Sequence, residues 1–349
     1  MKYIIRTEGL VCQKYGSINE PVERIRQSLG QFPKRCIWYD QRQGMVCSFC
    51  KQKFHTYSSC PGLPTTVEAK DRIEFVENLI RQPQVSLDIY RDMTLRQALE
   101  AMIKLGCELN KGNPWADTSA GPDRLRKQLD YWKAMGTLSV IISWIAYGLD
   151  FRFEGHYIPE RKFFRNHPTY FANEQLVDEF VRKNVALGNF VEEEPERLWL
   201  VEPMQVEIDP LGVRKARVCH DKRYLGKFNA VNQFRLETLK RDSDKVVRED
   251  FSMIVTDLAS AYYSLRMSES ARKFMGFFHR GKYYTSNVMT FGLRNAPFWF
   301  HKTTRPMVTF LRFLGVLVLA YLDDFLWSAP GKVMNELASC VRLFLTILG

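Results

Sequence analysis

Tyr321-Leu322-Asp323-Asp324 interrupts two apolar runs, Gly315–Tyr321 and Phe325–Ala329, that lie close enough in the chain to pair as a hairpin. Ending a buried strand in two adjacent carboxylates is costly, because each ionised group needs a counter-charge or water. Two side by side repel each other, and a cation between them removes that cost. The plainer alternative is a solvent-exposed turn, where Asp is a common residue. The pattern recurs upstream, where Met253-Ile254-Val255-Thr256 is a strand-like run ending in Asp257. A carboxylate at the end of one strand and a pair on a neighbouring hairpin can share two divalent ions. Mg²⁺ prefers a few carboxylates completed by substrate phosphates. Two such ions about 3.5–4 Å apart can stabilise both the attacking and the leaving oxygen of an in-line displacement. That is the chemistry of nucleotidyl transfer.

A second constellation lies near the N-terminus. Cys47-x2-Cys50-x4-His55-x4-Cys60 offers three thiolates and an imidazole, the donor set of a closed tetrahedral Zn²⁺ site. Four ligands within 14 residues can order a loop that has no core of its own. Phe49, Lys51, Lys53, Phe54 and Tyr57 lie between the ligands, an interleaving of basic and aromatic groups that suits single-stranded nucleic acid.

These groups need elements to hold them. Apolar residues make up 46% of the chain, enough for a substantial core. Lys and Arg number 50 against 39 Asp and Glu, and the net charge of +11 favours a polyanionic partner. No secretory signal is visible. The apolar-rich stretches Thr137–Leu149 and Gly315–Trp327 are shorter than the ~20 residues of a membrane span. The chain therefore reads as soluble and intracellular, with nucleus and cytoplasm both open and no membrane partner. In that compartment its eight cysteines read as reduced or metal-bound rather than paired.

Pro61, Gly62 and Pro64 close a small Cys/His module over residues 1–65. Residues 66–158 read as helical, with helices around Val67–Ile80 and Thr94–Asn110. Leu125, Leu129, Trp132, Met135 and Leu138 recur at helical spacing, which predicts one long helix over 123–148. A further helix is expected over 173–188, ending at Gly188. Strand-like composition follows at Leu198–Val206, Lys215–Cys219 and Met253–Thr256. Helices are expected over 259–272, 292–313 and 331–348. The second half is thus a mixed α and β region.

The motifs of that half resemble a known family. Thr256-Asp257-Leu258-Ala259-Ser260-Ala261-Tyr262-Tyr263 looks like the first palm motif of reverse transcriptases, and Phe291-Gly292-Leu293-Arg294-Asn295-Ala296-Pro297 like the second. Ala320-Tyr321-Leu322-Asp323-Asp324 looks like the third, and Arg217 to Leu225 is similar to a fingers strand of the same family. All stand in the family's order over about residues 160–349, just over half the chain. Gly226 and Thr290 depart from the pattern, standing where many members have Asn and Pro.

The resemblance implies an α+β fold: fingers over 159–250 and a palm over 251–349, an antiparallel sheet with helices, preceded by the helical region and the small zinc module. It implies an RNA-directed DNA polymerase of a retrotransposon, adding deoxynucleotides (dNTP) to a primer on an RNA or DNA template. Asp257 and Asp323 would bind two Mg²⁺ (or Mn²⁺) ions, with Asp324 close by and the Leu258 carbonyl a further ligand. Tyr262 would stand against the 2′-OH of the incoming nucleotide. Arg217 would hold the triphosphate, with Lys215 a second candidate, and Ala261, Phe291 and Gly292 would line the nucleotide pocket. The chain reaches Gly349 near where a fourth palm motif would begin, so neither that motif nor a thumb is expected. Helices ahead of the fingers resemble retrotransposons that use a tyrosine recombinase (DIRS-like). The Cys/His module resembles a zinc knuckle with Lys51 and Phe54 in place of the usual glycines. It also resembles the distal half of a PHD-type finger, which would bring in Cys36 and a protein partner. Two further readings stay open: a nucleic-acid-binding remnant without turnover, and a zinc-dependent interaction protein. Oligomeric state is not legible.

Overall fold

The computed structural model describes residues 67–116, 121–151, 153, 158–209, 211 and 216–349, together with four short N-terminal strands. Those strands are β1 (Ile4–Arg6), β2 (Gly9–Val11), β3 (Cys36–Asp40) and β4 (Gly44–Val46), paired in the order β2-β1-β3-β4 with each neighbour antiparallel. The expected zinc ligands Cys47, Cys50, His55 and Cys60 lie outside the described residues, as does Lys215.

The helical region opens with α1 (Val67–Arg81) and α2 (Leu95–Asn110). Thr94 caps α2 with a reciprocal box, its hydroxyl accepting from Gln97 N–H while the Gln97 side chain accepts from Thr94 N–H. The single helix expected over 123–148 is instead three short ones: α3 (Arg124–Lys127), α4 (Leu129–Ala134) and α5 (Ser139–Tyr147). The chain turns at Met135-Gly136-Thr137, where Gly136 has φ +72° and a Cβ would lie 2.8 Å from the Val85 carbonyl oxygen. That left-handed backbone stops a helix whose apolar spacing would otherwise carry it on.

The fingers follow. β5 (Lys162–Phe163), α6 (Pro168–Ala172), α7 (Glu174–Ala186), β6 (Phe190–Glu192), β7 (Leu200–Val201), β8 (Met204–Glu207) and β9 (Arg217–His220) come in that order. The expected strand over Leu198–Val206 is divided at Glu202-Pro203, since Pro cannot donate to a ladder. The two pieces enter different sheets. β8 pairs antiparallel with β9. β7 joins a five-stranded mixed sheet of order β5-β7-β11-β12-β6 with β11 (Gly276–His279) and β12 (Lys282–Ser286).

Between these sheets run the short helices α8 (Arg223–Gly226) and α9 (Leu239–Asp242), then β10 (Phe251–Asp257). The helix expected over 259–272 is absent as a unit. Ser260 has φ +54°, a 3₁₀ turn covers Ala261–Ser264, and only α10 (Glu269–Arg272) is α-helical. α11 (Ala296–Phe313), β13 (Leu317–Tyr321), β14 (Asp324–Pro330) and α12 (Met334–Leu348) complete the chain. The three-stranded sheet has the order β10-β14-β13, all antiparallel.

One core joins the helical region to the three-stranded sheet. Tyr90 meets Phe310 edge to face at 5.2 Å, Phe310 stacks on Phe344 at 5.6 Å, and Trp132 Nε1–H donates to the Leu348 carbonyl at 3.0 Å. A separate cluster gathers Tyr170, Val177, Phe190, Met204, Val218 and Phe277.

Candidate active site

The β13–β14 hairpin closes at the pair Tyr321↔Asp324, leaving Leu322 and Asp323 as a two-residue turn. Leu322 has φ +54°. Such a turn favours Gly at this position, and a branched side chain there costs on the order of 1–3 kcal/mol. The backbone around it is tied down: Leu258 N–H donates to the Asp323 carbonyl at 3.0 Å. β10 pairs with β14 in a register that sets Asp257 opposite Asp324. Trp327 Nε1–H donates to Thr256 Oγ1 at 2.9 Å and fixes the same register from the side chains. Asp257, Asp323 and Asp324 therefore gather at one end of one sheet.

Asp323 is half-buried, and its carboxyl is pushed above the ordinary range, chiefly by burial and then by the charges of Asp257 and Asp324. Arg217 pulls it back in part. A half-buried carboxyl facing two others is stabilised by a nearby divalent cation, and all-oxygen donors suit Mg²⁺ or Mn²⁺. Among the described residues no three His, Cys, Asp or Glu side chains converge into a finished cation cage.

Beside the carboxylates lies an open cleft of about 1280 Å³. Its wall includes Asp323, Arg217, Ser260, Tyr263, Phe291 and Gly292. Arg217 is exposed at the start of β9, free to reach an anion. Gly292 has φ +96°, and a Cβ there would lie 2.0 Å from the His220 carbonyl oxygen, so only glycine lets the two segments meet. Phe291 is exposed and packs on Tyr262 at 5.0 Å and Tyr263 at 6.3 Å. Tyr262 also meets Phe300 at 5.6 Å. Burial pushes the Tyr262 hydroxyl up to about 12, with Asp323 and Tyr321 adding to the effect. Asp257, Leu258, Ala261, Tyr262 and Asp324 are not part of the cleft wall; the first four adjoin it in the chain through Ala259 and Ser260, and Asp324 through Asp323.

Several residues at the cleft were not singled out from the sequence. Arg124 and Lys183 add cations to it. Lys222 is fully buried 3.5 Å from the equally buried Glu202, whose other oxygen accepts the Leu225 N–H at 2.9 Å. Burial lowers the Lys222 pKa and raises that of Glu202. The neighbouring His220 is buried and held neutral, first by burial and then by the Lys222 charge. Nothing local in the sequence marks these three, because Lys is among the residues least often buried.

Residues 203–348 match the sequence family described as Reverse transcriptase (RNA-dependent DNA polymerase). No curated protein matches the chain. Solved structures to which the chain is similar include the foamy viral protease-reverse transcriptase dRH in complex with double-stranded DNA, at 18% identity and a TM-score of 0.42. Another is the native Prototype Foamy Virus protease-reverse transcriptase, at 19% and 0.42. A third is the foamy viral protease-reverse transcriptase in complex with an RNA/DNA hybrid, at 15% and 0.45. Each alignment covers 54% of this chain but only 31%, 24% and 24% of those chains. Residues 203–348, under half of the chain, are thus similar to a reverse transcriptase domain, which is of the nucleotidyltransferase class. Domains of this class use divalent metal ions. Among the described residues no helix is long and apolar enough to cross a membrane.

Proposed function

We propose that this chain is an RNA-directed DNA polymerase of a retroelement, extending a primer on an RNA or DNA template with deoxynucleotides. The observation that carries the reading is the gathering of Asp257, Asp323 and Asp324 at one sheet end, with Arg217 close enough to act on Asp323. Asp257 and Asp323, with Asp324 nearby and the Leu258 carbonyl, would hold two Mg²⁺ ions. When bound, those ions neutralise charge on the triphosphate and stabilise the entering and leaving oxygens. In the transfer the primer 3′-oxygen bonds to the α-phosphorus, the bond from that phosphorus to pyrophosphate breaks, and the 3′-hydroxyl proton leaves to solvent.

The remaining residues act by position and charge. Arg217, with Lys215 as its neighbour in sequence, would grip the triphosphate, since a guanidinium presents several donors to phosphate oxygens. Tyr262, braced by Phe291 and Phe300, would bar a 2′-OH. Ala261, Phe291 and Gly292 would shape the nucleotide pocket. The Cys47-x2-Cys50-x4-His55-x4-Cys60 spacing supports a structural Zn²⁺ in the N-terminal module. The domain boundaries we favour are 1–65, 66–158, 159–250 and 251–349.

The test is extension of a labelled DNA primer on an RNA template. Extension with deoxynucleotides, stopped by EDTA and restored by Mg²⁺, is the expected result. Binding of template–primer without extension under any divalent ion would favour a nucleic-acid-binding remnant instead.

A further inference from the structure

β13 is an edge strand: its inner side pairs with β14, and among the described residues no strand lies on its outer side. Two of its outward backbone groups are nevertheless satisfied by side chains. Ala320 N–H donates to Glu237 Oε2 at 3.2 Å. The Val318 carbonyl accepts from Arg312 Nε at 3.1 Å and Nη2 at 2.6 Å. Glu237 and Arg312 are themselves joined by two bonds, Nη1 to Oε1 at 2.8 Å and Nη2 to Oε2 at 2.7 Å. The pair thus offers one acceptor and one donor at the spacing of alternate residues, as a neighbouring strand would.

Glu237 is 5% exposed and sits in the segment before α9, while Arg312 belongs to the last turn of α11. Arg305 and Lys245 also reach Glu237 Oε1, at 3.1 and 3.2 Å. Burial works against the Glu237 charge, but the bonds from Arg312, Ala320 and Arg305 outweigh it and hold the carboxyl ionised. The carboxylate is therefore a buried hub whose partners come from three separate elements. The strand it grips runs directly into Tyr321, Leu322 and Asp323.

We propose that Glu237 is a positioning residue: through Arg312 and the Ala320 amide it fixes the outer edge of β13, and so the placement of the strained turn that carries Asp323. This rests on the reading of Asp257, Asp323 and Asp324 as the metal-holding carboxylates. An edge strand leading into a strained turn needs such a clamp, because the turn itself disfavours the closed geometry.

Two measurements on the full chain test it. Hydrogen–deuterium exchange is followed over 316–324 and, as a control, over 95–110, and Mn²⁺ affinity is read from water proton relaxation. Glu237→Gln should speed exchange over 316–324 by roughly tenfold and leave 95–110 unchanged. It should also weaken Mn²⁺ binding by about threefold or more. Glu237→Gln/Arg312→Gln, which removes the pair without leaving a net charge, should do the same and serves if the single variant fails to fold. Unchanged exchange over 316–324, or an equal rise over both segments, would overturn the positioning role. If instead the unaltered protein binds Mn²⁺ no better than Asp323→Asn, the metal-site reading fails while the exchange data still judge the clamp.

Discussion

A Cβ on residue 292 would lie 2.0 Å from the His220 carbonyl oxygen on a backbone with φ of +96°, so both sterics and conformation demand glycine. Gly292→Ala should destabilise the protein by about 2–4 kcal/mol, read as a lower urea midpoint at unchanged slope. A loss under 0.5 kcal/mol would mean that the cleft wall relaxes freely. The contact joins segments far apart in the chain, which explains why sequence reasoning reached Gly292 only through a family motif. The carboxylates were legible for a different reason. Asp257, Asp323 and Asp324 each interrupt an apolar run, and that conflict is local. Lys222 and Glu202 offered no such signal. Each is an ordinary charged residue in its own stretch, and only the folded chain buries them 3.5 Å apart.

At the scale of elements, periodicity predicted helices well except where the backbone turns left-handed within the expected span. α1, α2, α7, α11 and α12 lie close to their expected spans. The expected helices over 123–148 and 259–272 break at Gly136 and Ser260, both with positive φ. The apolar spacing runs straight through both points, since it records which side faces the core and not whether the chain stays helical. The β13 edge clamp is equally invisible in the sequence, because Glu237 and Arg312 are 75 residues apart. It carries a pH signature. The Glu237 carboxyl is held below its ordinary value, so its contribution is full above the unfolded pKa of about 4.3 and is lost as pH falls through the folded value. Stability measured by urea at pH 7, 4 and 3 should therefore fall less in Glu237→Gln than in the unaltered chain. Parallel losses in the two proteins would contradict the clamp's contribution.

Among the described residues the largest core runs from the helical region into the three-stranded sheet, with Trp132 bonded to Leu348 and Tyr90 against Phe310. A fragment lacking 67–158 would expose that apolar face. It should show no cooperative unfolding transition, whereas a fragment that unfolds cooperatively would show that the sheet stands alone. The mixed α and β character was legible from composition and the order of motifs. The shared core was not, because a single sequence does not state which distant apolar faces meet. The net charge of +11 belongs to the same scale, as it suits a polyanionic template without choosing one. The account stands or falls on what the gathered carboxylates do. The most direct measurement is single-nucleotide incorporation on an RNA template in Mg²⁺, comparing this chain with Asp323→Asn at matched thermal stability. The account predicts incorporation by the first and a loss on the order of 10³-fold or more in the second. Equal incorporation by both proteins would contradict it.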